Sequence, residues 1–148
     1  LAGYGGTDLL CYRAGEPEDL VQRQGQLWSP WLSWAEAEHG ARLVTTNGIG
    51  HIAQDEAALA ALHRAVDGHD VMELAAMNDL VTIAGSLVLA LAVSAGALDV
   101  AAAWAAVRLD NEYQAERWGR DAEAEAHAAK LRGEFEIAAR FMDLHRAG

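Results

Sequence analysis

The chain has 148 residues, of which 52% are hydrophobic, 22% charged and 7% aromatic, a profile typical of one globular domain. Its 11 basic and 22 acidic residues leave a formal net charge of −11, so phosphate backbones and anionic membranes would be repelled. We therefore expect no nucleic acid partner and no membrane insertion. Cys11 is the single cysteine and cannot form an internal disulfide, which favours a reducing compartment.

The N-terminal part of the chain, residues 1–52, predicts a minor β element. Residues 1–6 are rich in glycine and resemble a connector, and residues 7–13 form an apolar run that is compatible with a strand. The strongest strand signal lies at residues 43–46 and at Ile49 and Ile52, where β-branched residues flank the turn dipeptide Asn47-Gly48. We expect a β-hairpin or an extended element here.

Helices are predicted from start signals, which are a capping side chain or a proline, and from glycines that end them. The first predicted helices run from Pro17 to about Leu27, from a cap at Ser29 to Gly40, and from Asp55 to Gly68, and a longer one opens at Asp70.

Residues 80–98 contain no charged side chain and raise the question of a membrane span. The flanking residues are Asp79 and Asp99, without basic or aromatic anchors, so the run predicts one central buried helix instead. A helix from about Val100 to Gly119 and a last helix capped by Asp121 complete a mainly helical bundle. The core stripe predicted for the last helix consists of Leu131, Phe135, Ala138 and Met142, broadened by Ile137, Phe141 and Leu144.

Candidate chemistry is sparse. His63, Asp67, His69 and Asp70 form the one dense cluster of titratable residues, but they match no known ligand signature, and aspartates beside Gly68 are typical caps. A small metal-dependent hydrolase centred on the two histidines is retained as an alternative. We otherwise expect no catalytic residue, no metal and no cofactor.

Three further features have a structural interpretation. The glycines at 48 and 50 favour a hairpin turn over a phosphate loop, because no Lys-Ser or Lys-Thr pair follows them. Cys11 is predicted to be a small buried hydrophobe, and Ser86 a small residue that permits close helix packing. Trp28, Trp31 and Trp34 are predicted to be core anchors, with an exposed aromatic surface for a partner as the alternative.

Residues 109–119 carry the most informative pattern. Glu112 and Glu116 are like charges at four-residue spacing, which weakens an isolated helix, and Arg108 partly offsets this. The segment is either a solvated face or a surface that offers acceptors and an aromatic anchor, Trp118, to a basic or amide-rich partner.

This segment, followed by Arg120, Asp121 and Glu123, resembles the acidic signature of the ATP-twelve family, the chaperones that assemble F-type ATP synthase by protecting its alpha subunit. Asn111 stands where that signature has a second acid. Weaker matches follow the family order at residues 7–13, at Gln24, Trp28, Pro30, Leu32 and Trp34, and at residues 85–92 and 96–98.

The resemblance implies an ATP-independent chaperone, not an enzyme, that holds the unassembled alpha subunit until the beta subunit replaces it. It also implies an orthogonal helical bundle, so residues 1–148 are expected to be a single helical domain, with residues 1–15 as the junction to an upstream β-rich domain. The partner-binding or domain-organising residues it implies are Asp110, Glu112, Gln114, Glu116 and Trp118.

We further expect a monomer. The expected compartment is the bacterial cytoplasm, with the mitochondrial matrix as the alternative, because the composition is rich in alanine and poor in lysine and no presequence is visible. A generic acidic helical module with another partner is the competing hypothesis.

Overall fold

The computed structural model describes residues 1–48 and 50–148. It is 73% helical, which confirms the mainly α fold. Two short 3-10 helices, Ala2–Gly6 and Leu9–Cys11, precede α1 (Glu18–Leu27), α2 (Ser29–His39), α3 (Glu56–Asp67), α4 (Val71–Ala84), α5 (Leu87–Ser94), α6 (Val100–Val107), α7 (Leu109–Trp118) and α8 (Ala122–Ala147).

The helix starts predicted at Asp55, Asp70 and Asp121 are confirmed, and Asp99 caps a helix in the same way. Asp55, Asp70, Asp99 and Asp121 each accept a hydrogen bond from a backbone N–H in the first turn that follows. The prediction is wrong for α2, whose cap position is held by Trp28 without a side-chain bond. The hydroxyl of Ser29 instead accepts a hydrogen bond from the guanidinium of Arg13, at 3.1 Å.

The uncharged run at residues 80–98 is not one helix. It breaks at Gly85, which has a positive φ of 68° and ends α4, and Ser86 then caps α5 by accepting from the N–H of Leu89. Ser86 is thus a capping residue rather than a small packing residue. Within the described residues, no helix combines the length and the apolar character that crossing a membrane would need.

The predicted helix from Val100 to Gly119 is also divided, at Arg108, into α6 and α7. The last turn of α6 is held by a contact from outside the helix, because the carbonyl of Ala106 accepts the indole N–H of Trp28 at 2.9 Å.

The predicted β-hairpin is wrong, and its Ile49 lies outside the described residues. The part of the chain that is described contains only an isolated parallel bridge between Tyr12 and Thr46. The side-chain amide of Gln54 takes both backbone groups of Val44, at 2.9 Å each, and so replaces the partner strand that residues 43–46 would need.

A carboxylate fixes the N-terminal segment to the core. Asp8 is fully buried and accepts hydrogen bonds from the N–H of Leu10 at 3.0 Å, the hydroxyl of Ser86 at 2.7 Å and the N–H of Val88 at 2.9 Å. Burial raises the pKa of Asp8, and these donors oppose the rise. Asp8 therefore holds the first 3-10 turns against the start of α5, whose eight residues are all buried.

The core surrounds α5, which packs against α2, α4 and α8. Trp28 is fully buried as predicted, whereas Trp31 and Trp34 are half-buried, with ring centroids 6.2 Å apart. The prediction of one domain with a junction at residues 1–15 stays a prediction.

The core stripe of α8 is confirmed for Phe135, Ala138 and Met142, which are buried. Its broadening is wrong, because Ile137, Phe141 and Leu144 are 69%, 39% and 61% exposed. Ile137 and Leu144 lie on the side of the helix opposite Phe135, at 100° per residue, so they cannot share its packing face.

Candidate partner-binding helix

The signature helix α7 packs against α1 through a buried tyrosine. Tyr113 donates its hydroxyl hydrogen to Asp19 at 2.8 Å, and this contact is the main reason that the pKa of Asp19 is lowered. The guanidinium carbons of Arg23 and Arg117 lie 5.3 Å and 4.5 Å from the centre of its ring. Tyr113 is therefore held by cation–π contacts from both helices.

Asp110 faces inward and links three segments. Its carboxylate accepts a hydrogen bond at 2.8 Å from the side-chain amide of Gln24, which is buried within α1. The oxygen of the same amide accepts the N–H of Ala14 at 2.9 Å. Asp110 and Gln24 thus fasten α7 to α1 and to the chain that precedes it.

Two exposed ion pairs flank the tyrosine. Glu116 pairs with Arg23 at 2.9 Å, and Asp19 pairs with Arg117 at 2.6 Å. On α1 the acid Asp19 precedes the base Arg23 by four residues, and on α7 the acid Glu116 directly precedes the base Arg117. Each acid pairs with the base of the other helix. Exposed pairs of this kind add little stability, and they mainly fix the register of the two helices.

Glu112, near the start of α7, is bound by the segment that joins α7 to α8. Arg120 donates hydrogen bonds to Glu112 and to Glu125 of α8, and the first contact is the main cause of the lowered pKa of Glu112. Arg120 therefore bridges one acid of α7 and one acid of α8.

The outward face of α7 is formed by Asn111, Gln114 and Trp118, which are all exposed. Their spacing of three and four residues places them on one side of the helix, opposite Tyr113. The indole of Trp118 is 81% exposed. This face offers side-chain amides and one large aromatic ring to solvent.

The structure thus divides the five residues that sequence reasoning singled out. Asp110, Glu112 and Glu116 are bound within the chain, while Gln114 and Trp118 are free to meet another molecule. Sequence reasoning missed Asp19, Arg23 and Gln24 of α1. Each of the two helices carries an acid followed by a base, and these complementary charges were the signal that could have paired α1 with α7.

The histidine cluster is not assembled. His63 pairs with Asp67 at 3.2 Å on one helix turn, while the ring of His69 contacts the hydroxyl of Ser94 at 2.7 Å. Asp70 caps α4 and contacts His145 at 2.8 Å. Among residues 1–48 and 50–148, no three His, Cys, Asp or Glu side chains are placed to hold a metal ion.

The thiol of Cys11 is fully buried, as predicted for a small hydrophobe. Desolvation raises the pKa of this thiol to about 12. A thiol with this pKa remains protonated near neutral pH and is a poor nucleophile.

The chain is similar in sequence and in structure to known proteins. Residues 1–36 match the family described as ATP12 chaperone protein. The crystal structure of Atp12 from Paracoccus denitrificans is 47% identical with a TM-score of 0.93, over 97% of this chain and 61% of that one. A point mutant of the same protein gives 46% identity and the same TM-score, coverage of this chain and coverage of that one. The Agrobacterium tumefaciens protein Atu1473, described as a candidate chaperone, is 39% identical with a TM-score of 0.88, over 95% of this chain and 53% of that one.

The fold and the site define an α-helical bundle that presents one polar and aromatic helix face. At 47% identity over nearly its whole length, the chain belongs to the ATP12 chaperone family. It spans less than two thirds of the length of these solved relatives.

Proposed function

We propose that this chain is the helical part of an ATP synthase assembly chaperone that binds the unassembled alpha subunit and protects it from aggregation until the beta subunit replaces it. Family membership supports the assembly role. Release follows from competition for the same alpha-subunit surface and needs no catalysis and no cofactor. The proposed working form is a monomer in the bacterial cytoplasm.

The outward face of α7 is the surface that we assign to the alpha subunit. The observation that carries this assignment is the 81% exposure of Trp118 within the signature segment. Covering a large exposed indole with a partner contributes a large favourable free energy of burial, and tryptophan is enriched among the residues that dominate binding energies. Gln114 adds amide donors and acceptors beside the ring.

The three acids have a supporting role in this proposal. Asp110 holds α7 against α1 through Gln24. Glu116 fixes the rotation of α7 through its pair with Arg23, and Glu112 joins α7 to the following segment through its pair with Arg120. The helix is thereby presented in one orientation before the partner arrives, which reduces the entropy lost on binding.

The test is retention of separately expressed alpha and beta subunits on the immobilised chain without nucleotide. We expect alpha alone to be retained and added beta to release it. Trp118→Ala is expected to weaken retention of alpha at least about tenfold, equivalent to about 1.4 kcal/mol of binding energy. Ile137→Ala is the matched control, because Ile137 is also a large exposed hydrophobe on a helix.

One result would contradict this function, and a second would contradict the role given to the acids. Equal retention of beta or of unrelated subunits would favour a generic acidic interaction module. Charge reversal of both Glu112 and Glu116 that leaves alpha binding intact, in a chain that circular dichroism shows to be folded, would remove the supporting role given to these acids.

A further inference from the structure

A cleft lies beside α7 and is separate from the outward face of that helix. The cleft, of about 590 Å³, opens between α1, α6, α7 and α8, on the flank of α7 that carries Glu112. This volume is within the range of sites that hold a ligand or a few side chains of a partner. Its apolar lining consists of Leu27, Trp104, Leu109 and small alanines of α6 and α8.

The rim of the cleft is unusual in its charge. Arg23, Arg108 and Arg132 line it, so it collects three of the 11 basic residues of a chain whose net charge is −11. Arg23 and Arg132 already pair with Glu116 and Glu136, in exposed contacts that a ligand can exchange at little cost.

Arg108 differs from the other two arginines. Among the described residues it takes part in no salt bridge, although its charge helps to lower the pKa of Glu112. The acids that line the cleft, Glu112 and Glu125, are both bound by Arg120. The charged residues that line the cleft are three arginines and two glutamates, an excess of one positive charge in a molecule that is otherwise strongly acidic.

We propose that this cleft binds a short apolar segment of a partner polypeptide that carries a carboxylate, with the apolar side chains against Trp104 and Leu109 and the carboxylate at Arg108. The inference rests on the proposed chaperone function, since such a segment would belong to the unassembled client. A guanidinium can donate two parallel hydrogen bonds to one carboxylate, which selects an acid over an amide.

The charge at the cleft predicts which peptides should bind. Simple attraction to a chain of net charge −11 favours a basic peptide, whereas the cleft favours an acidic one. The probes are three labelled peptides of equal length, built from Leu and Glu, from Leu and Lys, and from Ser and Glu, and binding is measured by fluorescence anisotropy. We expect the Leu and Glu peptide to bind at least about tenfold more tightly than either of the others.

Two variants locate the binding. Ala105→Trp fills the cleft, and its control Ala102→Trp makes the same change at an exposed position of α6 that does not line the cleft. Arg108→Glu reverses the charge at the cleft, and Arg64→Glu reverses an exposed charge on α3. Ala105→Trp and Arg108→Glu are expected to weaken binding of the Leu and Glu peptide at least about tenfold, and the controls to leave it unchanged.

Tighter binding of the basic peptide, or unchanged binding of the Leu and Glu peptide in Ala105→Trp, would overturn the proposal. The alpha-subunit retention assay is read separately. Retention without peptide binding refutes the cleft alone, and peptide binding without retention of alpha refutes the proposed client.

Discussion

The attachment of the N-terminal segment to α5 and the seam between α1 and α7 use carboxylates in opposite ways. At α5 the carboxylate of Asp8 has no contact with solvent and satisfies three donors, including Ser86 and Val88. At the seam, Asp19 and Glu116 are half exposed and pair with arginines. The same chemical group thus anchors the fold when it is buried and orients a surface helix when it is exposed.

The largest effect is expected for Asp8→Ala. The substitution leaves the donors at Leu10, Ser86 and Val88 without an acceptor, in a site from which water is excluded, so we expect a loss of about 3 kcal/mol in the free energy of unfolding. Urea denaturation followed by circular dichroism measures it. Ser86→Ala removes one of these contacts and the cap of α5 and should cost about 1 kcal/mol. A loss for Asp8→Ala no larger than that for Ser86→Ala would mean that Asp8 does not anchor the segment.

An intermediate effect is expected for Gln24→Ala, which removes a buried amide that joins α1 to α7. The N–H of Ala14 and the carboxylate of Asp110 both lose a partner, and we expect about 2 kcal/mol of destabilisation in the same assay. Gln22→Ala, at an exposed position of the same helix, is the matched control. Equal effects of the two substitutions would show that the seam does not depend on its buried amide.

The smallest effect at neutral pH is expected for Asp19→Asn, because its pair with Arg117 is exposed and screened by salt. The pKa of Asp19 in the folded chain lies below its ordinary value of 3.8, so its contribution is present above pH 3.8 and is lost as the pH falls through the lower folded pKa.

The contribution of Asp8 to stability changes with pH in the opposite direction. Its pKa is raised in the folded chain, so the folded state holds this proton more tightly, and the cost of ionising the buried group grows as the pH rises from 3.8 through the raised value. Unfolding is measured from pH 3 to pH 7 in the wild type and in Asp19→Asn, and the small difference between the two should be present towards pH 7 and shrink at the acid end. A difference that stays constant over this range would contradict the lowered pKa of Asp19.

Much of the fold follows from local signals. Asp55, Asp70, Asp99 and Asp121 begin helices because a short acceptor satisfies the first backbone donors, and this preference needs no information from distant residues. Gly85 and Arg108 were missed as helix breaks. Glycine is tolerated within a helix, and the groups that hold these breaks, Asp8 on Ser86 and Trp28 on Ala106, come from remote parts of the chain.

The position of the candidate site in the sequence could be predicted, but its orientation in the structure could not. The signature segment could be located by its residues, and Trp118 could be singled out as a potential anchor. Which side of α7 faces solvent could not be derived, because it depends on Asp19, Arg23 and Gln24 of α1, more than 80 residues earlier in the chain. The cleft beside Arg108 is formed by four helices and leaves no pattern in any one of them.

The hydrogen bond from Trp28 to Ala106 joins positions 78 residues apart, and this separation sets an order for events on the ribosome. At translation speeds of roughly 5 to 20 residues per second, the indole is made roughly 4 to 16 s before its acceptor. During this interval the side chain that will become the largest fully buried one remains without its native cover. The nascent chain therefore passes through a stage in which it is itself prone to the aggregation that we propose it prevents in others.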